Sequence, residues 1–177
     1  MRRHNVRMQF RGSPRWSYRT SVLVVALMVV CPTLNAITMD QLLRDRKMSP
    51  KRFANYFENF RFEKHPFDVQ SPHQSLSRRA GDCIDYAVLA DHVLSHHQYS
   101  TRLIRVEMMG TNIGHAICYV DDDRVYLDYN NRKYFFTLTK SKPRIRQIAT
   151  KVAKSLEANW TFAQEFTFSY KDFEKIA

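Results

Sequence analysis

Apolar residues in the first third of the chain recur at helical spacing. The pair Ser49-Pro50 has the residue types favoured at the N-cap and first turn of a helix, and it predicts a helix over 51–60. One face of that helix carries phenylalanines spaced by four and three residues: Phe53, Phe57 and Phe60. Such a stripe indicates a helix packed on a core. A similar short pattern predicts a helical segment within 37–48, whereas 61–80, with two prolines and many polar residues, is predicted to be a loop.

A longer helix is predicted over 82–97. Asp82 has the residue type of an N-cap, and Asp85 follows three residues later, as in a capping box with acidic residues at both ends. Small and apolar residues share one face of this helix: Cys83, Ala87, Ala90 and Leu94. Asp85, His92 and His96 are predicted to lie on the other, solvated side.

Beyond residue 100 the hydrophobic pattern changes to that of strands. Strands are predicted over 102–109, 114–120, 124–129, 134–138 and 161–170. A helix over 142–156 separates the last two, and the short acidic turn Asp121–Asp123 joins the second strand to the third. A helix followed by an antiparallel meander predicts an α+β fold, with the 82–97 helix packed on the sheet.

Composition supports one folded domain. The chain has 177 residues, 13% of them aromatic, with only 4 glycines and 6 prolines. Those values exclude a disordered or collagen-like chain, and no internal repeat is visible.

The first 36 residues have the organisation of an export signal. Basic residues without any acid fill the beginning of the chain: Arg2, Arg3, Arg7, Arg11, Arg15 and Arg19. A short apolar run over 21–30 follows, and Ala36 provides a small residue for cleavage. The run is about half of the ~20 apolar residues that span a bilayer. We therefore expect a signal peptide over 1–36 and a mature domain over 37–177 that is periplasmic or secreted; a retained N-terminal anchor is the alternative.

Removing that signal lowers the positive charge of the chain. The formal net charge of the whole sequence is +11, but the 22 basic and 17 acidic residues of 37–177 leave +5. Such an excess does not indicate a nucleic-acid partner. It is compatible with association with an anionic cell envelope, and the mature chain is not expected to span the membrane.

Three side chains suggest nucleophilic catalysis. Cys83 begins a predicted helix, where the partial positive charge and unpaired N–H groups favour a thiolate. His115 and Asp128 fall on successive strands, which lie about 5 Å apart in a sheet. If both point to one face, they can hydrogen-bond, and the helix need only dock its N-terminus on that face. In this order a cysteine, a histidine and an aspartate are a nucleophile, its base and the group that orients the base.

Further groups could assist the reaction. The backbone N–H of Cys83 is expected to point at a developing oxyanion. His73 or Gln74, in the segment before the cysteine, could supply a second donor; the spacing does not choose between them, and Gln74 is the candidate we retain. Cys118 is expected to be a buried core residue, and a disulfide with Cys83 is the alternative in an exported protein.

Three short motifs resemble one family. The segments GDCIDYA (81–87), GHAICYV (114–120) and VYLDYN (125–130) are similar to those of the transglutaminase-like superfamily, and most closely to the bacterial transglutaminase-like cysteine proteinases. The resemblance implies a papain-like α+β core and a catalytic triad of Cys83, His115 and Asp128. Ile84 between the cysteine and Asp85 departs from the usual family pattern.

The resemblance also implies an activity. Family members act on amide bonds by thiol chemistry, so a peptidase or amidase acting on a protein or peptide is expected, with transamidation as a related outcome. No cofactor is implied. Some members bind calcium, but the Asp121–Asp123 turn lacks the spaced ligands of an EF-hand loop, so no metal is expected.

Two other interpretations remain open. His92 and His96 have the i, i+4 spacing of zinc ligands, but the glutamate of a metalloprotease helix does not follow the first histidine, which favours solvated histidines. The second is a catalytically silent binding module of the envelope built on the same scaffold.

Overall fold

The structure is a computed structural model that describes residues 37–57, 60–65, 68–111, 114–130 and 136–169. These residues belong to one compact unit, Asn35–Ala177. The predicted signal peptide over 1–36 lies outside the described residues. Within the described ranges, no helix has both the length and the apolar character required to cross a bilayer.

Helices and an antiparallel sheet give the fold its α+β class, as predicted. The helices are α1 (Met39–Arg44), α2 (Pro50–Asn55), α3 (Pro72–Arg78), α4 (Cys83–His96) and α5 (Ile145–Ser155). The strands are β1 (Arg61–Phe62), β2 (Ala80–Gly81), β3 (Thr101–Met108), β4 (Gly114–Val120), β5 (Val125–Tyr129), β6 (Phe136–Lys140) and β7 (Trp160–Phe166). The main sheet has the order β6-β5-β4-β3-β7 with every neighbouring pair antiparallel, and β1 and β2 form a separate parallel pair.

The predicted loop over 61–80 is wrong. It contains α3 and both strands of the small parallel pair. Ser71 caps α3 by accepting a hydrogen bond from the backbone N–H of Gln74, and the Gln74 side chain accepts one from the Ser71 N–H in return. Pro72 occupies the first helical position, where a missing N–H costs nothing. The same Ser-Pro signal marks the start of α2, which ends at Asn55 and is shorter than the helix predicted over 51–60.

Two hydrophobic clusters cover the two faces of the main sheet. Along β4, Ala116 and Cys118 pack with α4, whereas Ile117 and Tyr119 pack with α5. Because side chains alternate along a strand, His115 lies on the same face of β4 as Ile117 and Tyr119, which is the face covered by α5. The helix that carries Cys83 therefore packs on the opposite face from the one expected, and Cys83 approaches His115 at the end of the sheet where β4 begins.

Two tyrosines fix α4 against the sheet. Tyr86 and Tyr129 stack with ring centroids 3.8 Å apart. The Tyr86 hydroxyl donates to the carbonyl oxygen of Arg61 at 2.6 Å, and the Tyr129 hydroxyl donates to the carbonyl oxygen of Phe60. A ring pair of this kind contributes about 0.5–1.5 kcal/mol beyond its buried area. Since Tyr86 follows Cys83 by three residues and Tyr129 follows Asp128, the stack sets the first turn of α4 against the end of β5.

Candidate active site

Cys83 is the first residue of α4, and a capping box surrounds it. The Asp82 carboxylate accepts hydrogen bonds from the backbone N–H groups of Ile84 and Asp85, at 2.9 and 3.2 Å. The Asp85 carboxylate accepts one from the Asp82 N–H at 2.9 Å. Burial, and secondarily the charge of Asp85, raises the pKa of Asp82. The Cys83 N–H is one of the first four of the helix, which have no acceptor within it.

Gly81 is required by the close approach of the helix to the strand before it. A Cβ atom at this position would lie 2.8 Å from Asp85 Oδ2 and 2.9 Å from the Asp85 Cβ. Both distances are shorter than real contacts, and the Asp85 side chain is completely buried and cannot move aside. The Gly-Asp-Cys sequence thus follows from packing: the glycine gives space to the carboxylate that closes the turn around the cysteine.

His115 and Asp128 form a buried pair across β4 and β5. His115 Nε2 donates to Asp128 Oδ1 at 2.7 Å, and the side chains are 7% and 1% exposed. The Asn130 side-chain amide donates to the same oxygen at 3.3 Å. The second carboxylate oxygen, Oδ2, is buried and has no hydrogen-bond partner within the described part of the chain.

The third member of the group is Cys83, which lines the same cleft as His115 and lies close enough to help raise the pKa of that histidine. Because Asp128 occupies Nε2, Nδ1 is the ring nitrogen left for the sulfur. Burial alone would lower the pKa of His115, but the hydrogen bonds to Asp128 and Cys83, together with their charges, outweigh it and raise the pKa to about 10. At neutral pH the imidazole is therefore protonated, which is the state that stabilises a neighbouring thiolate.

An open cleft of about 300 Å³ gives access to this pair. Its lining includes the half-buried Cys83 and the buried His115. The other lining residues are Phe62, Lys64, Met108, Thr111, Gly114, Asn130, Leu156 and Ala158. The residues Met108, Leu156 and Ala158 form an apolar wall, while Lys64 is exposed on the other side. The cleft lies at the end of the sheet, between the ends of β3 and α5 and the start of α4.

The other cysteine is a core residue. Cys118 is fully buried among the side chains under α4, and both Cys83 and Cys118 are free thiols, so the alternative disulfide is not formed. Burial, with a smaller effect of the Asp91 charge, raises the pKa of Cys118 well above its ordinary value. Of these two thiols, only Cys83 faces a cleft.

The structure places Gln74, the predicted oxyanion donor, away from the cleft. Gln74 is exposed, and its side chain closes the capping box of α3 instead of lining the cleft; the neighbouring His73 is exposed as well. Gln70 is the glutamine near Cys83: it is buried, and its side chain donates to Asp85 Oδ2 at 2.7 Å. No periodicity distinguishes the two residues, because their difference arises from the fold of the 61–80 segment.

One group of potential metal ligands lies beside Cys83. His65, Asp82 and Asp85 offer ligand atoms within 4.8 Å of one another, and both oxygens of Asp85 accept hydrogen bonds from N–H groups. In the acidic turn, both oxygens of Asp121 bind the Arg102 guanidinium, and Asp122 accepts from a backbone N–H. Asp85 and Asp121 are therefore occupied by donors of the protein itself.

The two histidines of α4 that have the spacing of zinc ligands differ in exposure. His96 is exposed and its ring contacts His97, whereas His92 is half-buried. Neither belongs to the group of potential metal ligands found among the described residues.

The unusual protonation of His115 can be measured directly. We expect its ring resonances in NMR spectra to titrate near pH 10 rather than near 6.5. Asp128→Asn removes one cause of the shift and lowers that pKa, whereas Tyr126→Phe, on the same strand, leaves it unchanged. A wild-type His115 that titrates at or below 6.5 would contradict this description of the site.

Comparison with known proteins assigns the family. The model of the family described as "Transglutaminase-like domain" matches residues 30–159, well over half of the chain. Among solved structures, LapG of Legionella pneumophila, in a calcium-bound form, is similar at 14% identity and a TM-score of 0.44, over 70% of each chain. A candidate cysteine protease from Cytophaga hutchinsonii is similar at 15% identity and a TM-score of 0.33, over 63% of this chain and 39% of that one. No protein with a curated description matches. On the match to the family model, the chain belongs to the transglutaminase-like domain family.

Proposed function

We propose that this protein is a thiol-dependent hydrolase that cleaves amide bonds in a protein or peptide, with Cys83 as nucleophile, His115 as acid and base, and Asp128 as the orienting group. One observation carries the proposal: a buried histidine that is hydrogen-bonded to a carboxylate lines the same cleft as a cysteine at a helix N-terminus. A histidine with only a structural role would not need a cysteine at a helix N-terminus as its second partner.

Acylation begins with Cys83 as a thiolate and His115 as an imidazolium. The Cys83 thiolate attacks the substrate carbonyl carbon, and the carbonyl electrons move to its oxygen. The Cys83 backbone N–H stabilises that oxyanion. The His115 imidazolium then donates its proton to the departing amine, and the C–N bond breaks to leave a thioester. Asp128 keeps the ring oriented throughout.

Hydrolysis of the thioester uses the same residues in reverse. Acylation removes the thiolate charge, which is one of the causes that raise the pKa of His115. The neutral ring can then accept a proton from water as the water oxygen attacks the thioester. Collapse releases the carboxylic acid and restores the thiolate beside a protonated His115. Cys83, His115 and the attacking water supply every proton and electron pair, so the proposed reaction requires no cofactor.

We further propose that the protein acts outside the cytoplasm. The basic start of the chain, the apolar run over 21–30 and Ala36 support export, and the modest positive charge of 37–177 suits an anionic envelope. Protein or peptide substrates of the periplasm or envelope follow from that location.

Turnover of a peptide library tests the proposed activity. Products identified by mass spectrometry should carry new carboxyl termini formed with water, and an added primary amine should be incorporated at a lower rate. Cys83→Ala should abolish cleavage, and Asp128→Ala should lower it by roughly 10²–10⁴-fold, because the ring loses its orientation. Cys118→Ala is the matched control and should remain active. Full activity of Cys83→Ala would rule the mechanism out.

Export is tested on the full chain expressed in a Gram-negative host. We expect a periplasmic protein whose mass corresponds to a start at residue 37, and Ala36→Lys should block processing because the signal peptidase needs a small residue there. A full-length product in the membrane fraction would favour the retained anchor. An unprocessed cytoplasmic product would contradict export.

A further inference from the structure

The Asp85 carboxylate, two residues after Cys83, is completely buried and is the centre of a polar network. Its Oδ1 accepts from the backbone N–H of Gln70 at 2.7 Å. Its Oδ2 accepts from the Gln70 side-chain amide at 2.7 Å, from His65 Nε2 at 2.6 Å and from the Asp82 N–H at 2.9 Å. Four donors on one buried carboxylate are the arrangement that makes burial of its charge tolerable.

We propose that His65 and Gln70 are positioning residues for catalysis: through Asp85 they hold the first turn of α4 so that the Cys83 sulfur faces His115. This inference rests on the function proposed above, because it assigns to these residues a role in that reaction. Neither residue lines the cleft, so neither acts on substrate directly.

The network holds the chain on both sides of Cys83. Downstream, Asp85 is fixed by His65 and Gln70; upstream, Asp85 binds the Asp82 N–H. The Gln70 amide also donates to the carbonyl oxygen of Ala80 at 3.3 Å, which attaches it to β2. A shift of Asp85 would therefore move the turn in which the nucleophile lies.

The same segment forms part of the cleft. Phe62, in β1, pairs with Gly81 of β2, and the N–H of Glu63 donates to the Gly81 carbonyl at 2.9 Å. Phe62 and Lys64 line the cleft, and His65 follows them directly. The chain that forms one side of the cleft thus also holds the nucleophile, so the position of the sulfur relative to bound substrate is set by one continuous segment.

A positioning role and a purely stabilising role predict different effects on the reaction rate. Displacing a catalytic group by about 1 Å costs on the order of 10²-fold in rate, even when the fold survives. A purely structural network would lower the melting temperature and leave the reactivity of the folded protein unchanged.

The experiment compares substitutions that preserve shape. Gln70→Met keeps the length of the side chain and removes its amide, and His65→Phe keeps the ring and removes its nitrogen atoms. His65→Gln retains an N–H donor and is the conservative variant. Ile148→Ala, at a buried position of α5 that packs on the main sheet, is the control for loss of stability away from the site. For each variant we would measure the melting temperature, kcat, KM and the rate of Cys83 alkylation by iodoacetamide at mildly acidic pH.

Below their melting temperatures, Gln70→Met and His65→Phe should lower both kcat and the alkylation rate by roughly 10- to 100-fold with little change in KM. His65→Gln should recover most of the loss, and Ile148→Ala should lower only the melting temperature. Wild-type rates in both shape-preserving variants would overturn the proposal. If Gln70→Met does not fold, His65→Phe, which removes one hydrogen bond from Asp85, decides the outcome.

The rate of Cys83 alkylation tests the positioning role of His65 and Gln70 even if the proposed function fails. If the wild-type protein cleaves no substrate, the function fails, but the ratio of alkylation rates between wild type and variants still decides whether the network positions Cys83. A ratio near one overturns the positioning role, and a large ratio supports it.

Discussion

The hydrogen bond between His115 and Asp128 is the interaction on which the site depends. It joins adjacent strands of the sheet inside the protein, where an unpaired imidazolium would be costly. With Asp128 in place, the ring keeps its proton at neutral pH and presents one nitrogen to Cys83. The meander of β4 and β5, the tight acidic turn between them and the cleft at the end of the sheet all serve to bring that ring to the first turn of α4.

Two independent attachments hold that first turn. The stack of Tyr86 on Tyr129 fixes the helix to the strand that carries Asp128, and the Asp85 network fixes it to the chain that forms one side of the cleft. The tyrosine stack is apolar and the Asp85 network is polar, but both involve a residue of α4 within three positions of Cys83. A reactive thiol needs this rigidity, because the geometry of a nucleophile and its base has to exist before substrate arrives.

Sequence patterns predicted the strands of the main sheet, the start of α4 and the three residues that now lie together, because each depends on local signals. They did not predict α3, although Ser71-Pro72 begins it in the same way as Ser49-Pro50 begins α2, because no phenylalanine stripe follows the second Ser-Pro pair. Asp85 was expected on a solvated face, because a charged residue is rarely buried unless several donors meet it. Those donors come from Gln70 and His65, which approach only after the chain has folded, and no periodicity encodes that approach.

The dependence of Cys83 reactivity on His115 is the most direct test of this account. Iodoacetamide modifies accessible thiols, and peptide mass spectrometry separates modification of the half-buried Cys83 from that of the fully buried Cys118. We predict that Cys83 is alkylated roughly 10-fold or more faster in the wild type than in His115→Gln, because a neighbouring imidazolium activates a cysteine. Equal alkylation rates of Cys83 in the two proteins would contradict the proposed catalytic pair.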